Sequence, residues 1–282
     1  MPSLCLPYPL DLSATLLAGQ TFCWSQEKGG RFSGWLAGLP VQLHICDNIL
    51  HWDNPAVHAE SIRRYFCLDL DLSLFWKNSL KDPWLFEACR AHPGLRPVRE
   101  DPWECLVNFL CSSLKQIVQI RQINRRLRTG FGSPDLTFPT AEVLADAGER
   151  ALRNCALGYR AKHVLAAAKL LFREPDFLLI PTSLPTRLAA RHLEQIPGVG
   201  PKISRCVLLY SHSRWDAFPV DVWVDRLVRD LYFPRRRKPF PQDELEQWSL
   251  RKFGPGCGLA QLFLFHWFRT RPNNKRPPPR GK

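Results

Sequence analysis

The chain has 282 residues, 45% of them hydrophobic, with 39 Lys and Arg against 26 Asp and Glu and a formal net charge of +13. That apolar content supports substantial packed cores and excludes a disordered tail or a mini-protein, while the positive excess suits a polyanionic partner. No apolar run approaches the roughly 20 residues that span a bilayer, so nucleic acid is favoured and no membrane partner is expected.

Residues 1–95 mix short apolar and aromatic stretches with turn signals, as in GQTFCWSQEKGGRFSGWLAG and VQLHICDNILHW, and Gly29-Gly30 predicts a hairpin connection. From Pro102 onward the period turns helical, with Leu106, Phe109, Leu110, Ile117, Ile120 and Ile123 on one recurring face. Further helices are predicted in AEVLADAGERALRNC, YRAKHVLAAAKLLFRE, LPTRLAARHLEQI, KISRCVLLYSHS, VWVDRLVRDLYF and GLAQLFLFHWFRT, with Gly158 as a stop between two of them and Asp221 as an N-cap. The expected fold is therefore α+β: an N-terminal antiparallel β-sheet domain over 1–95, a mostly α-helical domain over 96–270, and a basic, proline-rich tail over 271–282 that reads as a flexible arm.

The ten cysteines are scattered without a CxxC pair, and the opening MPSLCLPYPL lacks the basic and long apolar regions of a signal peptide. A reduced, intracellular protein is expected, nuclear in a eukaryote and cytoplasmic or nucleoid-associated in a bacterium. Only Cys257 lies beyond the segment from Lys202 to Asp221, so neither a four-cysteine metal cluster nor any other cofactor is expected.

The informative segment is LEQIPGVGPKISRCVLLYSHSRWDAFPVDVWVDR, residues 193–226. Gly198, Val199 and Gly200 form a tight turn just before a helix, which brings backbone N–H groups and a positive dipole end towards an anion such as phosphate. Lys202 follows in the first helical turn, and Asp221 stands before the next helix. Taken singly, such a lysine holds phosphate and such an aspartate caps a helix. Taken together they suit cleavage of an N-glycosidic bond: the carboxylate stabilises positive charge developing on the sugar while a neutral amine attacks the anomeric carbon. An amine nucleophile leaves a Schiff base that permits strand cutting by β-elimination. The amine needs apolar surroundings, which Ile203, Cys206 and Val207 are expected to supply, with Cys206 on the same helical face as Lys202.

PGVGPK followed by Asp221 in FPVDVW resembles the helix-hairpin-helix glycosylase superfamily, in which the Lys is the nucleophile and the Asp assists it. The resemblance runs through nearly the whole chain and points to the eukaryotic-type 8-oxoguanine DNA glycosylases, on LAGQTFCW, REDPWECLVNFLCSS, NCALGYRAKHV, the hairpin segment and FGPGCGLAQLFLF in that order. It implies a monomeric glycosylase and lyase acting on duplex DNA with a damaged base. Gly19 then offers its carbonyl to the N7–H of the oxidised purine, Gln261 bonds the Watson–Crick edge, and Phe265 and Cys206 sandwich the flipped ring. Tyr159 matches the family's wedge and Arg160 its reader of the opposite base.

The chain also departs from the pattern. Leu114-Lys115-Gln116 replaces the usual asparagine run, and Gln119 stands where an arginine is expected, so weaker discrimination of the opposite base is expected. Trp223 replaces a phosphate-binding histidine, leaving stacking or indole donation as its DNA contact. An alkylated-base glycosylase is the rival enzyme reading, supported by the ten tryptophans and opposed by Lys202. A non-catalytic hairpin module that grips DNA explains the glycines and the charge, but not Lys202, Asp221, Gly19 or Gln261.

Overall fold

A computed structural model describes residues 1–271. The basic proline-rich tail therefore lies, from residue 272, outside the described residues.

Five short strands, β1 (Ser3–Cys5), β2 (Ser25–Gln26), β3 (Phe32–Leu36), β4 (Leu39–Cys46) and β5 (Ile49–Trp52), form one antiparallel sheet in the order β1-β5-β4-β3-β2. Alternation decides which face is covered: Phe32, Leu36, Val41, Leu43, Leu50 and Trp52 point inward and are buried, while Ser33, Trp35, Gln42 and His51 between them are only partly buried. Two-residue turns at Ala37-Gly38 and Asp47-Asn48 join β3 to β4 and β4 to β5, with positive φ at all four residues, the geometry that matches the twist of paired strands. The expected hairpin at Gly29-Gly30 is present between β2 and β3, closed by the Glu27 amide donating to the Arg31 carbonyl at 2.8 Å. Helices α1 (Leu12–Leu16) and α2 (Ala59–Tyr65) cover the inner face with Leu12, Leu16, Ile62 and the following Phe66.

After α3 (Ser73–Ser79) and α4 (Pro83–Ala91), the remaining helices form a second core. They are α5 (Pro102–Leu110), α6 (Ile117–Phe131), α7 (Ala141–Leu152), α8 (Ala161–Arg173), α9 (Thr186–Leu193), α10 (Pro201–Tyr210), α11 (Val222–Tyr232), α12 (Gln242–Phe253) and α13 (Cys257–Thr270). All six helical stretches predicted beyond residue 140 are helices, and Gly158 stands between α7 and α8 as expected. The pattern beginning at Pro102 is two helices rather than one. The chain breaks at 111–116, where Ser112 Oγ turns back to the Phe109 carbonyl at 2.7 Å, Leu114 takes a φ of +53°, and Gln116 and Gln119 cap the start of α6. The helical core also recruits Ala14, Ala18 and Phe22 from the N-terminal part, together with Leu85, Ala88 and Cys89 of α4, so the two cores interleave on the N-terminal side of residue 95.

Sheet and helices are joined by a buried polar cluster. Cys23, Glu100 and Glu104 bring one polar atom each within 4.8 Å of the others. Arg128 bonds Glu104 at 2.5 Å and rests 4.4 Å from the centre of the Trp35 ring, while Asn124 donates to Glu104 at 2.9 Å. Tyr65 donates to Glu100 and accepts from the Trp24 indole at 2.7 Å. Burial, and then the Glu104 charge, push the Glu100 carboxyl up to about 8. A carboxyl whose folded pKa lies above its unfolded value stabilises most at low pH, and that contribution is lost as pH rises from about 4.5 through about 8. Glu100→Gln is therefore expected to reduce the fall in melting temperature between pH 5 and pH 8.5 relative to wild type. A parallel fall in the two proteins would show that Glu100 does not carry this dependence.

Candidate active site

Two helix starts face one cavity. The turn before α10 holds Gly198 at a φ of +90°, where an added Cβ would lie 2.5 Å from Cγ of His163 on α8, so only glycine fits between turn and imidazole. Val199 is buried and its amide donates to the Ile196 carbonyl at 3.0 Å. Its N–H is thus already engaged, and its side chain belongs to the core. Gly200 is the N-cap of α10 and has open space beside it.

Lys202, the second residue of α10, is half-buried. Its Nζ donates to Ser112 Oγ at 2.6 Å and stands 4.8 Å from the centre of the Phe109 ring. Steps of four residues along α10 place Cys206 and Tyr210 on the same face as Lys202. Ile203 and Val207, expected beside the amine, are buried in the helical core instead, because roughly 100° of rotation per residue carries them to other faces. Burial pushes the Cys206 thiol up to about 11, so it offers the cavity an uncharged, polarisable surface and not a competing thiolate nucleophile.

Asp221 is the N-cap of α11, as expected. Its Oδ1 accepts from the amides of Trp223 at 3.0 Å and Val224 at 2.9 Å, which fixes the carboxylate relative to the helix start. Trp223, 39% exposed, stands at the rim.

A cavity of about 330 Å³ is lined by Gly19, Lys202, Cys206, Asp221, Trp223, Gln261 and Phe265 among others. Seven sequence-predicted residues are thus brought together from the N-terminal part, α10, α11 and α13. A larger cavity of about 740 Å³ lies at the sheet–helix junction around Trp35, Trp103 and Arg128, but no lysine lines it. Gly19 sits at a φ of +92°, with space for a Cβ blocked by Ile117 Cδ1 at 2.6 Å. Its neighbour Gln20 is buried, and the side-chain amide donates to the Thr15 carbonyl at 3.0 Å and the Arg96 carbonyl at 2.8 Å while accepting from the Val98 amide at 3.0 Å. The glycine turn is therefore rigidly held against the helical domain. Gln261 is buried on α13 and accepts from Tyr210 Oη at 3.4 Å; Phe265, one turn on, is half-buried.

Tyr159 and Arg160 lie outside the cavity lining. Tyr159 is 49% exposed, whereas Arg160 is buried, donates to the Ser113 carbonyl and places its guanidinium 4.3 Å from the centre of the Tyr159 ring. Sequence reasoning missed Ser112, Phe22 and Phe109, which reach the cavity through tertiary contacts, and Arg269, which the spacing 261, 265, 269 on α13 signals.

Residues 107–252 match the HhH-GPD superfamily of base excision DNA repair proteins, the class that this fold and site define. Residues 4–106 match the N-terminal domain of 8-oxoguanine DNA glycosylases, and the chain belongs to this family. It is 32% identical to the N-glycosylase/DNA lyase of Saccharomyces cerevisiae over 91% of this chain and 82% of that protein. The structure of MBOgg1 in complex with a low-affinity DNA ligand superposes with a TM-score of 0.87 at 32% identity, covering 95% of this chain and 94% of the other. The apo 8-oxoguanine glycosylase/lyase of Clostridium acetobutylicum gives 0.86 at 25% identity, covering 94% and 95%.

The three glycines make a graded stability test. Gly198→Ala and Gly19→Ala each force a Cβ into positive φ and a close contact, so each is expected to cost at least about 1 kcal/mol. Gly200→Ala, with ordinary φ and open space, is expected to stay within about 0.5 kcal/mol of wild type. Denaturant unfolding of the three variants checks the order, and an equal effect at all three positions would contradict the described turns.

Proposed function

We propose that this protein is a bifunctional DNA N-glycosylase and lyase that removes 8-oxoguanine from duplex DNA, with Lys202 as nucleophile and Asp221 as its catalytic carboxylate. The observation that carries the reading is that an amine and a capped carboxylate from two separate helices open onto one cavity with Gly19, Cys206, Gln261 and Phe265. The family match, the yeast relative and the glycosylase/lyase structures support the activity and damaged duplex DNA as the partner.

The flipped base lies between Phe265 and Cys206. Gln261 bonds its Watson–Crick edge, and the Gly19 carbonyl accepts the N7–H that guanine lacks. Lys202, as the neutral amine, forms a bond from Nζ to C1′ as the glycosidic bond breaks and its electron pair leaves with the base, which takes up a proton. The Asp221 carboxylate stabilises the positive charge that develops on the sugar. Loss of the ammonium proton and opening of the ring give the Schiff base. Removal of a 2′ proton then expels the 3′ phosphate and cuts the strand. The amides of Gly198 and Gly200 and the start of α10 face phosphate, Trp223 meets the backbone at the cavity rim, and Tyr159 enters the stack. The setting is the compartment that holds the DNA. Among the described residues no helix is long and apolar enough to cross a membrane.

Asp221→Asn separates charge from capping, because asparagine also caps well. Its melting temperature is expected to stay near wild type while the single-turnover release of 8-oxoguanine falls by about 100-fold or more. Release assayed by chromatography on a duplex with 8-oxoguanine opposite cytosine checks this, and an unchanged rate would remove Asp221 from the mechanism.

A further inference from the structure

Behind the base-reading wall lies a pair of positive charges that the proposed chemistry leaves unused. Arg121 stands one turn after Ile117 on α6, and Arg269 one turn after Phe265 on α13. Both reach the end of α1, just before the Gly19 turn: Nη2 of Arg121 donates to the Leu16 carbonyl at 3.3 Å, and Nη2 of Arg269 to the Leu17 carbonyl at 3.1 Å. Arg269 also places its guanidinium 5.6 Å from the centre of the Phe265 ring and lines the Lys202 cavity. Among the described residues neither guanidinium pairs with a carboxylate, and the Nε of each is buried without a hydrogen-bond partner. Burial, and then the Arg269 charge, lower the pKa of Arg121, and burial lowers that of Arg269, yet a guanidinium stays cationic at neutral pH. Two like charges are thus drawn together out of water with no counter-charge, which is unfavourable until a negative charge arrives. Holding the end of α1 occupies one nitrogen of each and does not call for a pair of cations.

The other ionisable groups around the pair leave its charge standing. Cys23 faces Arg121 as a neutral thiol, held far above its usual range by burial. His266, on α13 beside Arg269, is pushed down to about 3 by burial, then by His92 and Arg269, and is neutral as well. Lys115, Lys202 and Asp221 open onto the same cavity, and Asp221 is engaged by the amides of its own helix start.

We propose that Arg121 and Arg269 give the base-side wall of the cavity a positive potential that stabilises the excised base as an anion. The proposal rests on the glycosylase reading and says where the electron pair of the broken bond is accommodated. As Nζ of Lys202 bonds C1′, the bond from C1′ to N9 breaks, and its two electrons leave on the base, whose ring nitrogens and carbonyl oxygens spread the charge. Protonation by water follows departure and does not have to precede it. The same potential repels alkylated purines that carry a positive charge, so it favours the oxidised, carbonyl-rich base.

The test measures single-turnover release of 8-oxoguanine opposite cytosine, between pH 6 and pH 8.5, by full-length wild type, Arg269→Gln, Arg269→Lys and Arg121→Gln. Without the cation the base leaves only as a proton reaches it, so the loss in Arg269→Gln is expected to grow from about threefold at pH 6 to more than about tenfold at pH 8.5. The ratio to wild type at each pH removes the titration of Lys202, which both proteins share. Arg269→Lys keeps the charge and is expected to recover most of the loss. Arg121→Gln, outside the cavity lining, is expected to follow the same profile with smaller amplitude. Affinity for a duplex whose lesion carries a 2′-fluorine and resists cleavage is expected to change by less than about threefold, because no anion forms there. A loss that is equal at every pH, or that Arg269→Lys shares in full, marks a role in holding the end of α1 and overturns the proposal. A loss that lies wholly in affinity does the same. Release by wild type that no variant slows also overturns it and leaves the glycosylase reading intact, whereas no release by wild type defeats that reading and the proposal with it.

Discussion

The Asp221 carboxylate accepts two backbone amides at the start of α11, and the geometry of the site depends on that cap. A carboxylate placed to stabilise a developing cation must not wander, and a pair of hydrogen bonds from a helix start holds it without covering its free edge. The amine is held by a matching device. Lys202 belongs to the first turn of α10, a helix buried from Ile203 to Tyr210, and its Nζ is steadied by Ser112 from a loop 90 positions earlier in the chain. Asp221 is fixed by backbone amides of its own helix start, and Lys202 by the cavity-lining Ser112. The starts of α10 and α11 line the cavity together with residues of α13 and the Gly19 turn.

The base-facing wall has a separate origin. Gly19 comes from the N-terminal part, but its turn is tied by buried Gln20 to the 96–98 segment and pressed by Ile117 of α6. The sheet and the helices are in turn joined through Glu100, Glu104, Arg128 and Trp35. This cluster assembles three potential metal-binding side chains, yet each has a structural account. Glu104 is neutralised by Arg128, the Glu100 carboxyl is raised by burial so that it retains a proton near neutral pH, and the Cys23 thiol is pushed far above its usual range by burial. The cluster thus sets the distance between the domain that contributes the base-reading glycine and the domain that contributes the nucleophile.

Much of this was legible in the sequence, for local reasons. The α10 turn, Lys202 and the Asp221 cap lie within one short segment in which glycine, proline and capping chemistry act over a few residues, and the structure places them as expected. Gly19, Gln261 and Phe265 entered by resemblance, since a lone glycine or a phenylalanine on an apolar helix carries no signal of its own. The break between α5 and α6 was hidden, because Ser112 and Leu114 do not disrupt a helical period by themselves; the tertiary bond from Arg160 and the cap at Gln116 determine it. Arg160 entered by resemblance as the reader of the opposite base, and its packing under the Ser113 carbonyl and the Tyr159 ring depends on partners that no spacing rule connects. Helix α12 also escaped notice: few of its residues are buried, which leaves only a faint apolar stripe.

The most direct test of the central claim is borohydride trapping on a duplex with one 8-oxoguanine opposite cytosine, with wild type and Lys202→Gln compared side by side. The account predicts a covalent protein–DNA adduct with wild type and none with the variant, because only an amine at position 202 forms the Schiff base. Base release by wild type without an adduct, or an adduct that survives in the variant, would contradict Lys202 as the nucleophile.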